Sequence, residues 1–282
     1  MSDIIAENGY VIIAVNPIEY RQAQCCAFSI KSKMKNASVT MVVNDTTKVA
    51  EEYKEGFDSI VKLPFKEYTD NRQADWQLYW ASPYENTIAI DCKSIVKEDH
   101  TNTWEYLIDH YDIVFPTSTN DFRHNKLYPK YQGNIREEYK LDIIYSNMFF
   151  FKKTSESLAH FKMADVYFQY WRDVCIKYFN AHHVPDNFEP DVMHTLVANH
   201  VGNDVTSYHS MLSYIDMQHS VTAGDFGKIT NWTDKINVWS SEAGKIKIQN
   251  YAMNSTLYYH ENEFLTEEIF NEQQSYYRLV TK

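Results

Sequence analysis

Glycine is scarce in this chain, with seven in 282 residues, roughly a third of the usual share. None is set in G-x-G-x-x-G or in G-x-x-x-x-G-K-[ST], the loops whose glycines let backbone come close to a phosphate. That argues against Walker-type ATPases and ordinary dinucleotide-dependent dehydrogenases; any bound phosphate must be held by side chains or a metal. Cysteine is sparse too. Cys25, Cys26, Cys92 and Cys175 form no C-x-x-C pair and no Cys/His ladder, so neither a zinc module nor a disulfide framework is signalled, and reduced, mostly buried thiols are expected. Long apolar runs are missing. The opening MSDIIAENGYVIIAVN has no basic n-region, and its apolar run of about five residues is far short of a signal h-region or a membrane span. The reading is a cytoplasmic protein with no membrane partner. Positive charge is also short, at 27 Lys and Arg against 38 Asp and Glu, a net −11. That disfavours a surface coated for polyanions, because sequence-independent nucleic-acid affinity comes from Lys and Arg neutralising phosphates.

What is present is apolar and aromatic mass: 44% hydrophobic residues, with 22 Tyr, 15 Phe and 6 Trp, ample for one large α/β unit. Tyr10–Asn16 and Val39–Val43 are short β-branched runs of the kind buried on both faces of a sheet. Between them, residues 18–35 space Ala23, Cys26, Ala27 and Ile30 as a helix does and end in basic residues. A second short helix is expected over 47–55, a strand over 59–63, a helix over 70–81 and a strand over 86–91. This β-α-β-α-β alternation predicts a mostly parallel sheet flanked by helices. Further on, 111–116 reads as a strand, 117–140 as a long polar loop and 142–151 as an apolar strand. Helices are expected over about 155–180 and from Asp191 to His200. Short strands at 245–249 and 255–260 and an amphipathic helix from Thr266 complete the pattern.

Asp91 is the informative residue. Open α/β sheets receive their ligands at the carboxyl ends of central strands, and Asp91 ends such a strand, although a solvated strand-end acid looks the same in sequence. Arg72 could offer a bidentate guanidinium to phosphates or lie on a helix surface. Asn147, placed in a strand, needs partners if buried, and a sugar or ribose hydroxyl would serve. Asp191 could act on a ligand or simply cap its helix. His260 could be a metal ligand or a satisfied histidine.

The order of these pieces resembles the GT-A glycosyltransferases, in particular the glycogenin and lipopolysaccharide-galactosyltransferase group and its phage-encoded relatives. The resemblance runs over about residues 10–265. It rests on Asn16 and Tyr20 in V-N-P-I-E-Y, on Arg72 and Trp76, and on Ser82-Pro83-Tyr84 with Thr87. It continues through Asp91-Cys92-Lys93, Asn147, Pro185-Asp186, Asp191 and Tyr259-His260. It implies a single GT-A domain over 1–282, with a nucleotide-sugar-binding half at 1–115, an acceptor-side half at 116–265 and a C-terminal helix at 266–282. It implies transfer of a sugar from a UDP-sugar to an acceptor hydroxyl, with Asn16, Tyr20, Arg72, Asp91 and Asn147 binding the donor and Asp191 and Lys93 in the chemistry. A divalent metal, Mn or Mg, held by Asp91 and His260, would stabilise the leaving diphosphate.

Lys93 departs from the family, which has a second acid there. It could point away while Asp91 and His260 hold the metal, or replace part of the metal's charge. It could also mark a non-catalytic nucleotide-binding protein with a degenerate D-x-D. The acceptor is expected to be a glycan or a hydroxymethylated base in phage DNA. For the latter, Arg123-His124-Asn125-Lys126 with Lys130 and Arg136 would supply the basic face.

Overall fold

A computed structural model describes residues 4–127, 144–178, 188–202, 205–217, 237–241 and 243–282. The chain opens with β1 (Ala6–Ile13), α1 (Pro17–Lys33) and β2 (Val39–Val43), then β3 (Ser59–Lys62). A 3-10 stretch, Asn71–Gln77, runs into the single turn of α2 (Leu78–Ala81), followed by β4 (Tyr84–Ile90) and β5 (Ser94–Ile95). Next come α3 (Thr101–His110), β6 (Ile113–Phe115), β7 (Met148–Lys152), α4 (Ser155–Gln169), α5 (Trp171–Tyr178) and α6 (Pro190–Val201). Six short strands, β8 (Ser207–Tyr208), β9 (Ile215–Asp216), β10 (Val238–Ser240), β11 (Ile246–Ile248), β12 (Tyr251–Ala252) and β13 (Leu257–Tyr258), precede α7 (Glu267–Thr281).

The main sheet has seven strands in the order β3-β2-β1-β4-β7-β6-β8. All its pairs are parallel except those of β7, which runs against both β4 and β6. Alternation along the strands divides the core in two. Val11, Ile13, Phe149 and Phe151 pack to one face with Phe161 and Ala164 of α4 and Leu196 of α6. Tyr10, Ile12 and Phe150 pack to the other with Ala23, Ala27 and Ile30 of α1 and Leu107 of α3. Burial on both faces explains the continuous apolar runs seen in the sequence.

A smaller sheet, β5-β13-β9, joins the segment just after β4 to the last third of the chain. Above it α7 lies along α1, where Phe28 stacks on Tyr277 at 4.8 Å and meets Phe270 at 5.9 Å.

Several expectations are corrected in detail. Residues 47–55 form two 3-10 turns, Thr46–Lys48 and Glu51–Tyr53, rather than a helix. Residues 71–77 are 3-10, started by the Asp70 side chain accepting from Arg72 N–H. Tyr170 breaks the long helix into α4 and α5. Asn147 precedes β7 instead of lying within it. The four cysteines are buried and free. Among the described residues no helix is long and apolar enough to cross a membrane. Lys130, Arg136 and Pro185-Asp186 lie outside the described residues.

Candidate active site

A cavity of about 700 Å3 opens at the carboxyl ends of β1 and β4. Because β7 is antiparallel, its amino end arrives at the same place, which brings in Tyr145, Ser146 and Asn147. The amino terminus of α6 also points there, presenting Glu189, Pro190 and Asp191 with the positive end of the helix dipole. The rest of the wall comes from Asn16, Asp70–Arg72 and Asp75, from Asp91 and Lys93, and from Asp216, Tyr258 and His260.

Asp91 is fixed by backbone and side chain. Its N–H donates to the Asn147 carbonyl at 2.8 Å. Its Oδ1 accepts from Lys93 N–H at 2.8 Å, and its Oδ2 from Asn71 Nδ2 at 3.3 Å. The Lys93 ammonium turns to the far side of the cavity and donates to the His260 carbonyl at 3.0 Å, while the Lys93 carbonyl accepts from Tyr259 N–H at 3.0 Å. The His260 ring lies with Nε2 2.9 Å from Asp216 Oδ1, edge-on to Tyr258 at 4.5 Å. Facing a carboxylate, this Nε2 carries the hydrogen and donates.

The residues present do not fit the divalent cation that the resemblance implies. A metal needs lone pairs, and of the two ligands expected, His260 Nε2 is committed to Asp216, which leaves only the one lone pair that each Asp91 oxygen keeps after accepting an N–H donor. A lysine ammonium has no lone pair to give, and that of Lys93 donates to the His260 carbonyl. Among the described residues no three His, Cys, Asp or Glu converge as a metal-binding group.

Eight Asp and Glu residues line the cavity against Arg72, Lys93 and His260. Burial, with Asp91 and Asp70 nearby, pushes Glu19 up to about 7 although it accepts from Val15 N–H. Burial and Asp191 raise Glu189. Burial, aided by Asp216, raises Asp191 against two bonds of 2.7 Å from Ser146 N–H and Oγ–H. Burial and mutual repulsion thus disfavour the charged forms of these acids, which weakens the negative field an anion meets. Arg72 clasps Asp70, with Nη2 at 2.6 Å from Oδ2 and Nε at 3.1 Å from Oδ1.

Seven of the eight residues singled out in the sequence line this cavity: Asn16, Arg72, Asp91, Lys93, Asn147, Asp191 and His260. Tyr20 does not. It is buried beside Tyr53, ring centroids 5.9 Å apart, in the core between β1 and α1. Asn16 caps α1 by accepting from Glu19 N–H at 3.1 Å, and Asn147 Nδ2 donates to Tyr214 Oη at 2.8 Å. Asp191 is not the cap of its helix; Glu189 holds that position without a side-chain bond. Sequence reasoning passed over Glu19, Asp75, Glu189 and Asp216. The Asn16-x-x-Glu19 spacing was a readable capping signal. Asp216 had none, since only the parallel pairing of β9 with β13 brings it to His260.

No protein-family model matches the chain, and no curated protein matches it. Solved structures do. The galactosyltransferase LgtC, in complex with donor and acceptor sugar analogues, superposes with a TM-score of 0.54 at 11% identity, over 94% of both chains. An active-site mutant of LgtC gives 0.55 at 12% identity, over 95% of both. The glycosyltransferase GlyE of Streptococcus pneumoniae gives 0.51 at 9% identity, over 98% of this chain and 62% of GlyE. The chain has the GT-A fold of these glycosyltransferases.

Proposed function

We propose that this chain transfers a sugar from a nucleoside-diphosphate sugar to an acceptor hydroxyl, with uridine diphosphate as the leaving group. The observation that carries the reading is the cavity at the carboxyl ends of β1 and β4, where Asp91, Lys93, Arg72, Asn147 and Asp191 converge in a fold shared with sugar transferases. In this reading the diphosphate lies between Arg72 and Lys93. As the glycosidic bond breaks, negative charge gathers on the departing phosphate oxygens. An ammonium held in place by the His260 carbonyl meets that charge without having to reorganise. Asn16 and Asn147 supply polar contacts to the nucleoside and sugar. Asp191, with its raised pKa, takes the acceptor's proton or holds a sugar hydroxyl.

The acceptor in this reading is a glycan. A hydroxymethylated base in phage DNA would require a positive groove beside the cavity. The wall here is acidic, and the Arg123 guanidinium lies 5.3 Å over the Phe122 ring.

Calorimetry with UDP and UDP-sugars, with and without manganese, tests the proposal together with mass analysis of released nucleotide. Expected are binding without metal and release of UDP. Failure of the wild-type protein to bind either ligand in both conditions would sink the reading, and binding with no hydrolysis or transfer would favour a non-catalytic nucleotide-binding protein.

A further inference from the structure

Two wholly buried histidines stand behind the cavity and take no part in the transfer chemistry above. His160 belongs to α4 and His194 to α6, and His160 Nε2 lies 2.9 Å from His194 Nδ1. The chain of bonds extends at both ends. Thr206 Oγ1 is 2.7 Å from His160 Nδ1, and Asp75 Oδ2 is 3.1 Å from His194 Nε2. A carboxylate only accepts, so His194 Nε2 carries a hydrogen. Burial holds the His160 pKa well below the usual histidine value, so this ring is neutral. The arrangement that needs no buried cation then runs one way: Thr206 O–H to His160, His160 Nε2–H to His194, His194 Nε2–H to Asp75.

This chain ends in a carboxylate with one oxygen fixed from behind. The other oxygen, Oδ1, is buried with no hydrogen-bond partner among the described residues. Asp75 is itself 9% exposed and forms part of the wall of a cavity that the apolar residues Val11, Leu78 and Ala89 also line. Buried acceptors are almost always paired, so Oδ1, closed off from solvent in this rotamer, keeps an unmet demand for a donor that a small turn of the carboxylate would present to the cavity.

The geometry points to Asp75 as a sugar-reading residue: its carboxylate accepts a hydrogen bond from a hydroxyl of the transferred sugar, and His194 is the positioning residue behind it. The inference rests on the nucleotide-sugar reading and deepens it. A carboxylate repels phosphate oxygens, which removes the diphosphate as its partner. In a 3-10 turn residues three apart eclipse one another, so Asp75 stands one turn deeper than Arg72. If Arg72 meets the diphosphate, the group next to the phosphate is what reaches Asp75. The neighbouring apolar wall suits the C–H face of a pyranose.

Calorimetry with UDP, UDP-glucose, UDP-galactose and UDP-N-acetylglucosamine tests this on wild type, Asp75→Asn and Thr206→Val. Asparagine can still accept from His194 and so preserves the fold, which a thermal melt checks. For Asp75→Asn the expected result is unchanged UDP affinity and a loss of roughly 10- to 100-fold for the best-bound UDP-hexose, the size of a hydrogen bond to a charged group. Thr206→Val, which leaves the cavity untouched, is expected to weaken the UDP-hexose by a smaller factor and UDP not at all. Equal losses for UDP and UDP-hexose, or no loss for either, overturn the role of Asp75. An unaffected Thr206→Val overturns the positioning role of the histidine chain. A wild type that binds none of the four ligands overturns the nucleotide-sugar reading itself and this inference with it.

Discussion

The Lys93 ammonium and the His260 carbonyl, 167 positions apart in sequence, are joined by a hydrogen bond of 3.0 Å. This bond fixes a positive charge on the residue that stands where the family resemblance leads one to expect a second acid. Removing it while keeping the aliphatic stem, as in Lys93→Met, is expected to lower the rate of UDP release by about 100-fold, the usual cost of losing one preorganised charge-stabilising donor. Chelators are expected to leave the wild-type rate unchanged. A wild-type rate that collapses in EDTA and returns with manganese contradicts this account.

Arg72 is held by Asp70 at a half-exposed site. Exposed ion pairs contribute little to stability, so Arg72→Gln is expected to melt at the wild-type temperature. Its UDP dissociation constant, by contrast, is expected to rise about tenfold through loss of a charge-assisted phosphate contact. Paired melting and calorimetry separate the two effects.

Glu19 is pushed from 4.5 to about 7 by burial and by its acidic neighbours. Between those values the folded protein holds a proton that the unfolded chain has released, so stability falls as pH rises from 4.5 to 7 and the loss is complete above about 7. Glu19→Gln is expected to remove this slope. It should stabilise the protein by about 2–3 kcal/mol near pH 8 and have little effect near pH 4.5. Denaturant midpoints across that range measure it, and parallel slopes for the two proteins would refute the assignment.

Gly9 lies in β1 against the face of the Tyr84 ring, and a Cβ there would come within 2.3 Å of Tyr84 Cζ. The ring cannot retreat, because Tyr84 is fully buried and its hydroxyl is bonded to Thr40 at 2.6 Å. Gly9→Ala is expected to cost about 1–3 kcal/mol from overpacking, despite alanine's lower chain entropy. Chemical denaturation measures the cost.

The parallel half of the sheet was legible because burial on both faces writes itself as short runs rich in β-branched residues such as Val39–Val43, which match β2 residue for residue. Asp91 was legible for the same reason, as the acid at the end of such a run. Two of the 3-10 turns were not, since Asp70 and Asp45 start them with side-chain bonds that look in sequence like ordinary helix caps. α3 was missed because its short amphipathic run, Trp104, Leu107 and Ile108, lies between polar residues. Tyr20 went wrong because an aromatic beside a ligand and one in the core read alike. Asp75, Asp216 and the two histidines were out of reach. Their meaning lies in partners drawn from separate elements, and no spacing along the chain encodes that.

The pairing of β5 with β13 also governs when the site can exist during synthesis. Lys93 emerges from the ribosome early, but its carbonyl and ammonium are secured, among the described residues, by Tyr259 and His260. A nascent chain ending before that point holds the parallel strands and a lone Lys93 beside Asp91, without the far wall. The far wall of the cavity can therefore close only once the segment through His260 has been made and has folded back onto β5, a contact of high sequence separation that forms late.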